Sequence, residues 1–196
     1  MITPAGANEH IEVGMVGNEG MFGITVLLGI RISALAGLVQ GGGRALRMTA
    51  TRFGKIANEQ ASFKRTLNRY LYVLTAELAQ TAACNRFHHL DARMARWLLM
   101  THDRALGSTF RITHKFLAYM LGVRRAGVSE AAGRLQAQGL IQYAHGELTV
   151  LNRPALELAS CACYAVLQAN YHQHLGTRGK SRAQESTRRS IRGLPS

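Results

Sequence analysis

Charged and polar side chains recur along residues 124–138 at spacings that place them on one face of a predicted helix. An arginine near the start of such a helix can donate two hydrogen bonds to O6 and N7 of guanine, and a glutamate can accept one from N4 of cytosine. Arg125 and Glu130 are therefore the strongest candidates for contacts with bases. The other residues expected to contact DNA are Thr113, Lys115, Arg124, Gly127, Ser129, Arg134 and His145.

The apolar residues around these positions predict a helix-turn-helix. Thr113 can cap a first helix, and Gly122 can end it because glycine readily adopts a left-handed backbone conformation. A second helix then follows after a very short connection. The faces expected to pack inward are Phe116, Leu117, Met120 and Leu121 in the first helix, and Val128, Ala131 or Ala132, and Leu135 in the second.

A β-hairpin is expected directly after the second helix. Residues 140–143 and 148–150 read as strands, and residues 144–147 as the turn that joins them. His145 in this turn could contact phosphate, although an exposed turn histidine with no ligand is the alternative. The whole segment, residues 112–152, predicts a winged helix-turn-helix.

Four leucines at spacings of four, three and four predict one stripe along a long helix that precedes this segment. They are Leu67, Leu71, Leu74 and Leu78. A narrow stripe of this kind suits the seam between two helices, so we expect these residues to mediate dimerisation. Packing within one subunit is the alternative.

Two further helices flank the predicted DNA-binding segment. One covers about residues 90–101, with Met94, Trp97 and Leu98 on its inner face and with Arg93 and Arg96 pointing elsewhere. The other begins after Asn152 as its N-cap, with Pro154 in the first turn, and is expected to run on through Ala159, Cys163 and Leu167.

The chain is divided by composition into four predicted parts of an α+β protein. Apolar runs broken by glycines in residues 11–48 indicate a β-domain within 1–55, followed by the dimerisation helix in 56–86. Residues 87–175 form the predicted DNA-binding domain. Residues 176–196 carry six basic residues against one acidic residue, which predicts a disordered basic tail.

The net charge supports a polyanionic partner. The chain has 24 Lys and Arg against 11 Asp and Glu, a net charge of +13. No segment is apolar enough to predict a membrane span. Three cysteines make no paired framework and no secretory signal opens the chain, so we expect a cytoplasmic protein without disulfides.

Several sequence segments resemble the Crp/Fnr family of bacterial transcription regulators. They are MLGVRRAGVSEAAGRLQAQGLI over the recognition unit, HGELTVLN over the wing, AQTAACNRFHHLDARMARWLLMTHDR over the hinge, and EVGMVGNEGMFG near the start. The resemblance covers about residues 11–172. It implies a partial N-terminal jelly roll of the cyclic-nucleotide-binding type, a homodimer that binds double-stranded DNA, and RNA polymerase as a further partner.

The chain departs from that family in its sensor. Members that bind cyclic nucleotide carry Gly-Glu and Arg-Ser, whereas Gly23 is followed here by Ile24 and residues 33–36 contain no arginine. No cysteine occurs in residues 1–83, which argues against the N-terminal iron-sulfur cluster of the family's oxygen sensors. We therefore expect no cofactor. The start of the sequence also corresponds to a point midway through the family's jelly roll, so a truncated interaction module with impaired effector sensing is the alternative function.

Other candidate sites have weaker support. His88, His89, Asp91, His102 and Asp103 invite a metal-site interpretation, but their spacing is not diagnostic and polar residues at a hinge explain them better. Cys161 and Cys163, if both are helical, point about 200° apart and cannot bind one ion together. No nucleotide-binding, hydrolase or metalloprotease motif occurs, so we expect no enzymatic activity and no metal site.

Overall fold

The computed structural model describes residues 1–4, 10–105 and 107–176. Within these ranges the helices are α1 (Ala50–Glu59), α2 (Ala61–Phe87), α3 (Leu90–Arg104), α4 (His114–Leu121), α5 (Arg125–Ala137), α6 (Arg153–Ala159) and α7 (Cys163–Leu175). The strands are β1 (Ile2–Pro4), β2 (His10–Glu12), β3 (Thr109–Arg111), β4 (Ile141–Ala144) and β5 (Glu147–Val150). The predicted α+β class is confirmed.

The N-terminal part contains less strand than its glycine-punctuated sequence predicts. β1 and β2 form an antiparallel pair, and an isolated bridge joins Ile2 to Ala36. Where further strands were expected, a short 3-10 helix (Ile24–Leu28) lies between two glycines with positive φ. Strands need neighbours to satisfy their backbone groups, and among the described residues of the N-terminal part only this two-stranded sheet of a partial jelly roll is formed.

The leucine stripe of α2 packs against residues of its own chain. Leu67 and Leu74 are buried in a cluster with Met1, Ile24, Phe53, Ala57 and Tyr70. Leu71 and Leu78 are partly buried against the same cluster. The stripe is therefore a packing face within one subunit, which is the alternative that the sequence left open, and its role in dimerisation stays a prediction.

The main core is organised around α3. Met94, Ala95, Leu98 and Leu99 are fully buried, and they join the apolar faces of α4, α5, α6 and the three-stranded sheet. Arg93 and Arg96, which were predicted to point elsewhere than this apolar face, are buried as well, at 9% and 5% exposure. Neighbours pack around α3 on every side, so its polar side chains are enclosed as well; Arg93 donates to the carbonyl of Leu121.

The predicted single helix after Asn152 is two helices. Asn152 caps α6 as expected, by accepting a hydrogen bond from the amide of Ala155 at 3.1 Å. The helix then ends at Ser160, which is extended and whose hydroxyl donates to the carbonyl of Glu157 at 2.8 Å. Serine competes in this way with helical backbone bonds. The next helix starts only at Cys163, so residues 160–162 form a connection.

Two predictions concern membrane spans and the tail. None of the helices formed by the described residues is long and apolar enough to cross a membrane. Of the predicted basic tail, residues 176–196, all but Gly176 lies outside the described residues.

Candidate nucleic-acid interface

α4 and α5 form the predicted helix-turn-helix with the predicted turn chemistry. The Thr113 hydroxyl accepts a hydrogen bond from the Phe116 amide at 3.1 Å and caps α4. Gly122 ends α4 in the left-handed region, at φ 64°. The positive φ of Gly122 favours glycine at this turn, and a Cβ there would lie 2.9 Å from the end of the Ile11 side chain of β2, which would have to move.

α5 separates its residues into an inner and an outer face as the sequence predicts. Val128, Ala131, Ala132 and Leu135 are all at most 3% exposed. Arg124, Arg125, Ser129 and Glu130 are exposed on the opposite face, and Thr113, Lys115 and His145 are also exposed. These predicted DNA contacts therefore lie at the surface.

The start of α5 is positively charged and open to solvent. Arg124 is the N-cap and makes no side-chain capping bond, so the first backbone N–H groups of the helix are without a capping acceptor. Neither α4 nor α5 has an acidic residue in its first turn. The positive ends of two helix dipoles, together with Arg125 and Lys115, produce a surface that attracts phosphate groups.

The wing is a hairpin that belongs to a three-stranded sheet. β4 and β5 pair in antiparallel register, and His145 and Gly146 form the two-residue loop with φ of 51° and 80°. Positive φ at both loop residues is typical of a tight hairpin turn whose twist suits the strands. The third strand, β3, pairs with β5 and was not predicted, because a three-residue strand gives too short a sequence pattern.

His114 is a central residue of this surface that the sequence analysis missed. Its ring stacks on Tyr143 of the wing, with centroids 4.3 Å apart. Its Nδ1 lies 2.9 Å from the Ser129 hydroxyl, which in turn donates to the Arg125 carbonyl at 3.2 Å. Burial, and secondarily the charge of Arg125, lowers the pKa of His114 below its usual 6.5. A neutral imidazole therefore connects α4, α5 and the wing.

Two of the predicted DNA contacts, Arg134 and Gly127, lie against α3. Arg134 pairs with Asp91 of α3, with Nε and Nη2 at 2.6 and 2.7 Å from the two carboxylate oxygens. A side chain at Gly127 would lie 3.1 Å from Leu90, so Gly127 faces α3 and its small size permits close helix packing. A DNA contact by Gly127 is therefore not favoured by its position.

Among the polar residues that invite a metal-site interpretation, Asp91 lies apart from His102 and Asp103. Asp91 pairs with Arg134, as described above. Asp103 accepts hydrogen bonds from Arg153 at 2.8 Å and from Tyr164 at 3.0 Å, and His102 Nδ1 lies 2.7 Å from Arg153. Asp103 therefore links α3 to both α6 and α7, and His102 links α3 to α6.

The helical position predicted for Cys161, by contrast, is wrong. Cys161 lies in the connection between α6 and α7 and is not helical, so the helical angle between Cys161 and Cys163 does not apply. Both side chains approach Cys84 and His88 at the end of α2. The conclusion that the two cysteines cannot bind one ion together is therefore wrong.

An apolar cavity of about 110 Å³ lies between the N-terminal segment and α2. Its lining includes Gly23, Ile24, Ser33, Leu35 and Leu74, and among the described residues no lysine or arginine lines it. Ligand pockets usually measure roughly 300–1,000 Å³, and a bound phosphate needs charge-assisted donors. The cavity does not fit a cyclic nucleotide.

These features define a winged helix-turn-helix protein of the DNA-binding class. Residues 92–159 match the family of Crp-like helix-turn-helix domains. That segment contains α4, α5 and the wing, so the chain carries a Crp-like helix-turn-helix domain. The resemblance to Crp/Fnr regulators predicted from the sequence is confirmed.

Solved structures extend the similarity beyond this domain. A Crp/Fnr-family transcriptional regulator from Thermus thermophilus is 19% identical, with a TM-score of 0.54, and the match covers 81% of each chain. A family member from Eubacterium rectale is 23% identical (TM-score 0.45; 56% of this chain, 51% of that one). A Crp-family regulator from Thermus thermophilus is 26% identical (TM-score 0.43; 48% and 51%).

The first of these matches shows that the fold is that of a Crp/Fnr-type regulator. The chain spans about half the length of the other two. Comparison with curated proteins gave no match.

Proposed function

We propose that the chain is a sequence-specific transcription regulator that binds double-stranded DNA as a homodimer. The observation that carries the proposal is the exposed, uncapped and cationic start of α5, with Arg124 and Arg125, inside a Crp-like helix-turn-helix domain. α5 enters the major groove, and its N-terminal residues meet the edges of the bases.

The proposed contacts are of two kinds: contacts with phosphates position the domain, and contacts with bases read the DNA sequence. Lys115, Thr113 and the wing residue His145 contact phosphates and fix the orientation of the domain. Arg125 donates to guanine, and Glu130 accepts from cytosine. Glu130 is 70% exposed, and its ion pair with Arg134 is long, at 3.9 Å, so its carboxylate is free to turn toward a base. Arg134 either contacts DNA or holds α5 in place through Asp91.

A two-fold symmetric dimer places two such helices in successive major grooves. The near-palindromic site then has half-sites about one helical turn, roughly 34 Å, apart. Because Leu67 and Leu74 are buried within one chain, the dimer surface includes exposed residues of α2 such as Tyr72, which is 55% exposed. RNA polymerase is the partner through which a bound regulator acts on transcription.

Selection from a random pool of double-stranded DNA tests the proposal. The purified full chain is expected to enrich one two-fold symmetric motif, and binding should weaken steeply as salt is raised. Sedimentation of the complex is expected to give two chains per DNA duplex. Failure to enrich any motif, with the protein folded and dimeric, would exclude sequence-specific binding.

The same experiment addresses the alternative of an interaction module derived from such a regulator. The observations in its favour are the small N-terminal sheet and the apolar cavity between the N-terminal segment and α2, which is unsuited to a nucleotide. A module of this kind dimerises without selecting a DNA motif.

A further inference from the structure

All three cysteines of the chain meet one histidine at a single point in the fold. Cys84 and His88 belong to the last turn of α2 and its C-cap, four residues apart and so on the same side. Cys161 and Cys163 come from the connection after α6 and from the first residue of α7. Residues nearly eighty positions apart in sequence therefore converge.

The distances within this Cys₃His cluster suit a tetrahedral metal site. Cys84 Sγ lies 3.4 Å from Cys161 Sγ, and Cys163 Sγ lies 3.4 Å from His88 Nδ1. All four ligand atoms lie within 4.8 Å of one another. Sulfurs bound to one zinc ion at about 2.3 Å are about 3.8 Å apart in a tetrahedron. Small side-chain movements bring these four atoms to that geometry.

The surroundings of the cluster suit thiolates. Cys84, Cys161 and Cys163 are at most 7% exposed, whereas His88 is half-buried and provides a path for an ion to enter. Gln80 donates a hydrogen bond to Cys163 Sγ at 3.0 Å. The buried guanidinium groups of Arg93 and Arg96 interact electrostatically with Cys84. Both arginines have a buried Nε without a hydrogen-bond partner.

Charge balance favours a metal centre over three neutral thiols. Three thiolates and one Zn²⁺ have a net charge of −1, and the buried cations Arg93 and Arg96 both interact with Cys84 of the cluster. Buried charges are stable when they are paired. Without an anionic centre, Arg93 and Arg96 are two like charges enclosed near each other, and this arrangement costs free energy.

We propose that Cys84, His88, Cys161 and Cys163 bind one Zn²⁺ ion in a closed structural site. Four protein ligands leave no open position, so the ion has no catalytic role. The ion joins the end of α2 to the connection between α6 and α7, and thereby links the long helix to the C-terminal helices of the DNA-binding domain. The proposal replaces the expectation of no metal, and it does not depend on DNA binding.

Cobalt titration of the metal-free full chain under reducing conditions gives a first test without any substitution. Tetrahedral Co²⁺ with thiolate ligands gives strong visible bands and a sulfur-to-metal charge-transfer band. Saturation is expected at about one equivalent, and one equivalent of Zn²⁺ should remove the spectrum. A weak spectrum typical of octahedral cobalt, or no saturation at all, would overturn the proposal.

Thiol accessibility gives a second test, because every cysteine of the chain belongs to the cluster. In a urea concentration low enough to keep the chain folded but high enough to expose its buried cysteines transiently, a thiol reagent is expected to modify all three in the metal-free chain and to react much more slowly after Zn²⁺ is added. Equal reaction rates with and without Zn²⁺ would contradict the proposal. Purified protein that contains iron and inorganic sulfide would overturn the assignment to zinc.

Two neighbouring histidines provide a matched pair of variants. His88→Ala removes a ligand, and the zinc affinity should fall by more than the roughly 10–100-fold typical of outer-shell partners. His89→Ala changes an exposed residue next to it and should leave zinc affinity unchanged. Gln80→Leu removes the hydrogen bond to Cys163 and should cost about 10–100-fold. Equal zinc affinities of folded His88→Ala and His89→Ala would contradict the proposal.

Discussion

The carboxylate of Asp91 accepts two hydrogen bonds from the Arg134 guanidinium, at 2.6 Å from Nε and 2.7 Å from Nη2. This bidentate pair joins the first turn of α3 to the exposed face of α5. Paired planar groups fix orientation as well as distance. The pair therefore helps to set the orientation of α5 relative to α3.

This pair should make stability depend on acid pH. The hydrogen bonds from Arg134 hold the pKa of Asp91 below its ordinary 3.8. A lowered native pKa stabilises the fold above the unfolded value of 3.8, and the contribution is lost as pH falls through the native pKa. Asp91→Asn should therefore reduce the fall in denaturation midpoint on going from neutral pH to below 3.8.

Arg134→Gln is the matched control, since it removes the same pair and retains the carboxyl group. It should reduce the acid dependence to a similar extent, and the double variant should add little more. Additive effects of the two substitutions would contradict this coupling.

Arg125 and Lys115 should affect DNA binding in different ways. Arg125→Ala removes a predicted base contact, so discrimination should relax by about 1–3 kcal/mol at one position of each half-site. Lys115→Ala should weaken binding to all sequences alike and reduce the salt slope by about one. Competition binding with single-base variants of the selected site, over a range of salt concentrations, measures both effects.

Arg52 of α1 offers a control for charge alone. It is exposed and lies outside the Crp-like domain, so Arg52→Ala should leave the base preference unchanged. If Arg125→Ala behaves like Arg52→Ala, the assignment of α5 as the reading helix fails.

His114 should stabilise the domain in its neutral form. His114→Phe retains a ring for stacking on Tyr143 and loses the hydrogen bond to Ser129, which should cost about 0.5–1.5 kcal/mol of unfolding free energy. His114→Ala also loses the stacking contact, worth a further 0.5–1.5 kcal/mol or so. Urea denaturation at neutral pH measures both, and an equal loss in the two variants would exclude a stacking contribution.

Protonation of His114 should destabilise the domain. Burial lowers its native pKa below the unfolded value of 6.5, so its contribution is present above 6.5 and is lost as pH falls through the native pKa. His114→Phe should lack this part of the pH dependence. The comparison is made with wild-type protein over the same pH range.

The DNA-binding half could be predicted from local sequence signals. Thr113 and Gly122 define the ends of α4, and the apolar spacing in α5 identifies Val128 and Leu135 as buried. Each of these signals acts within a few residues of the chain, where helix periodicity and capping chemistry determine the structure.

The remaining features depend on contacts between distant residues. The break at Ser160 places Cys161 beside Cys84, and no periodicity along the chain encodes that approach. Arg93 is buried because several elements surround α3, although arginine ordinarily lies at the surface. His114 was missed because its partners, Ser129 and Tyr143, belong to other elements.

Leu117 should be among the residues most important for the stability of the helix-turn-helix. It is fully buried in α4, within the core that α3, α5 and the sheet share. Leu117→Ala leaves a cavity and should cost about 2–5 kcal/mol of unfolding free energy. Leu158 of α6 is 89% exposed, so Leu158→Ala should change stability by no more than about 0.5 kcal/mol. Chemical denaturation of the two leucine variants measures the difference, and similar losses would mean that α4 does not pack on this core in solution.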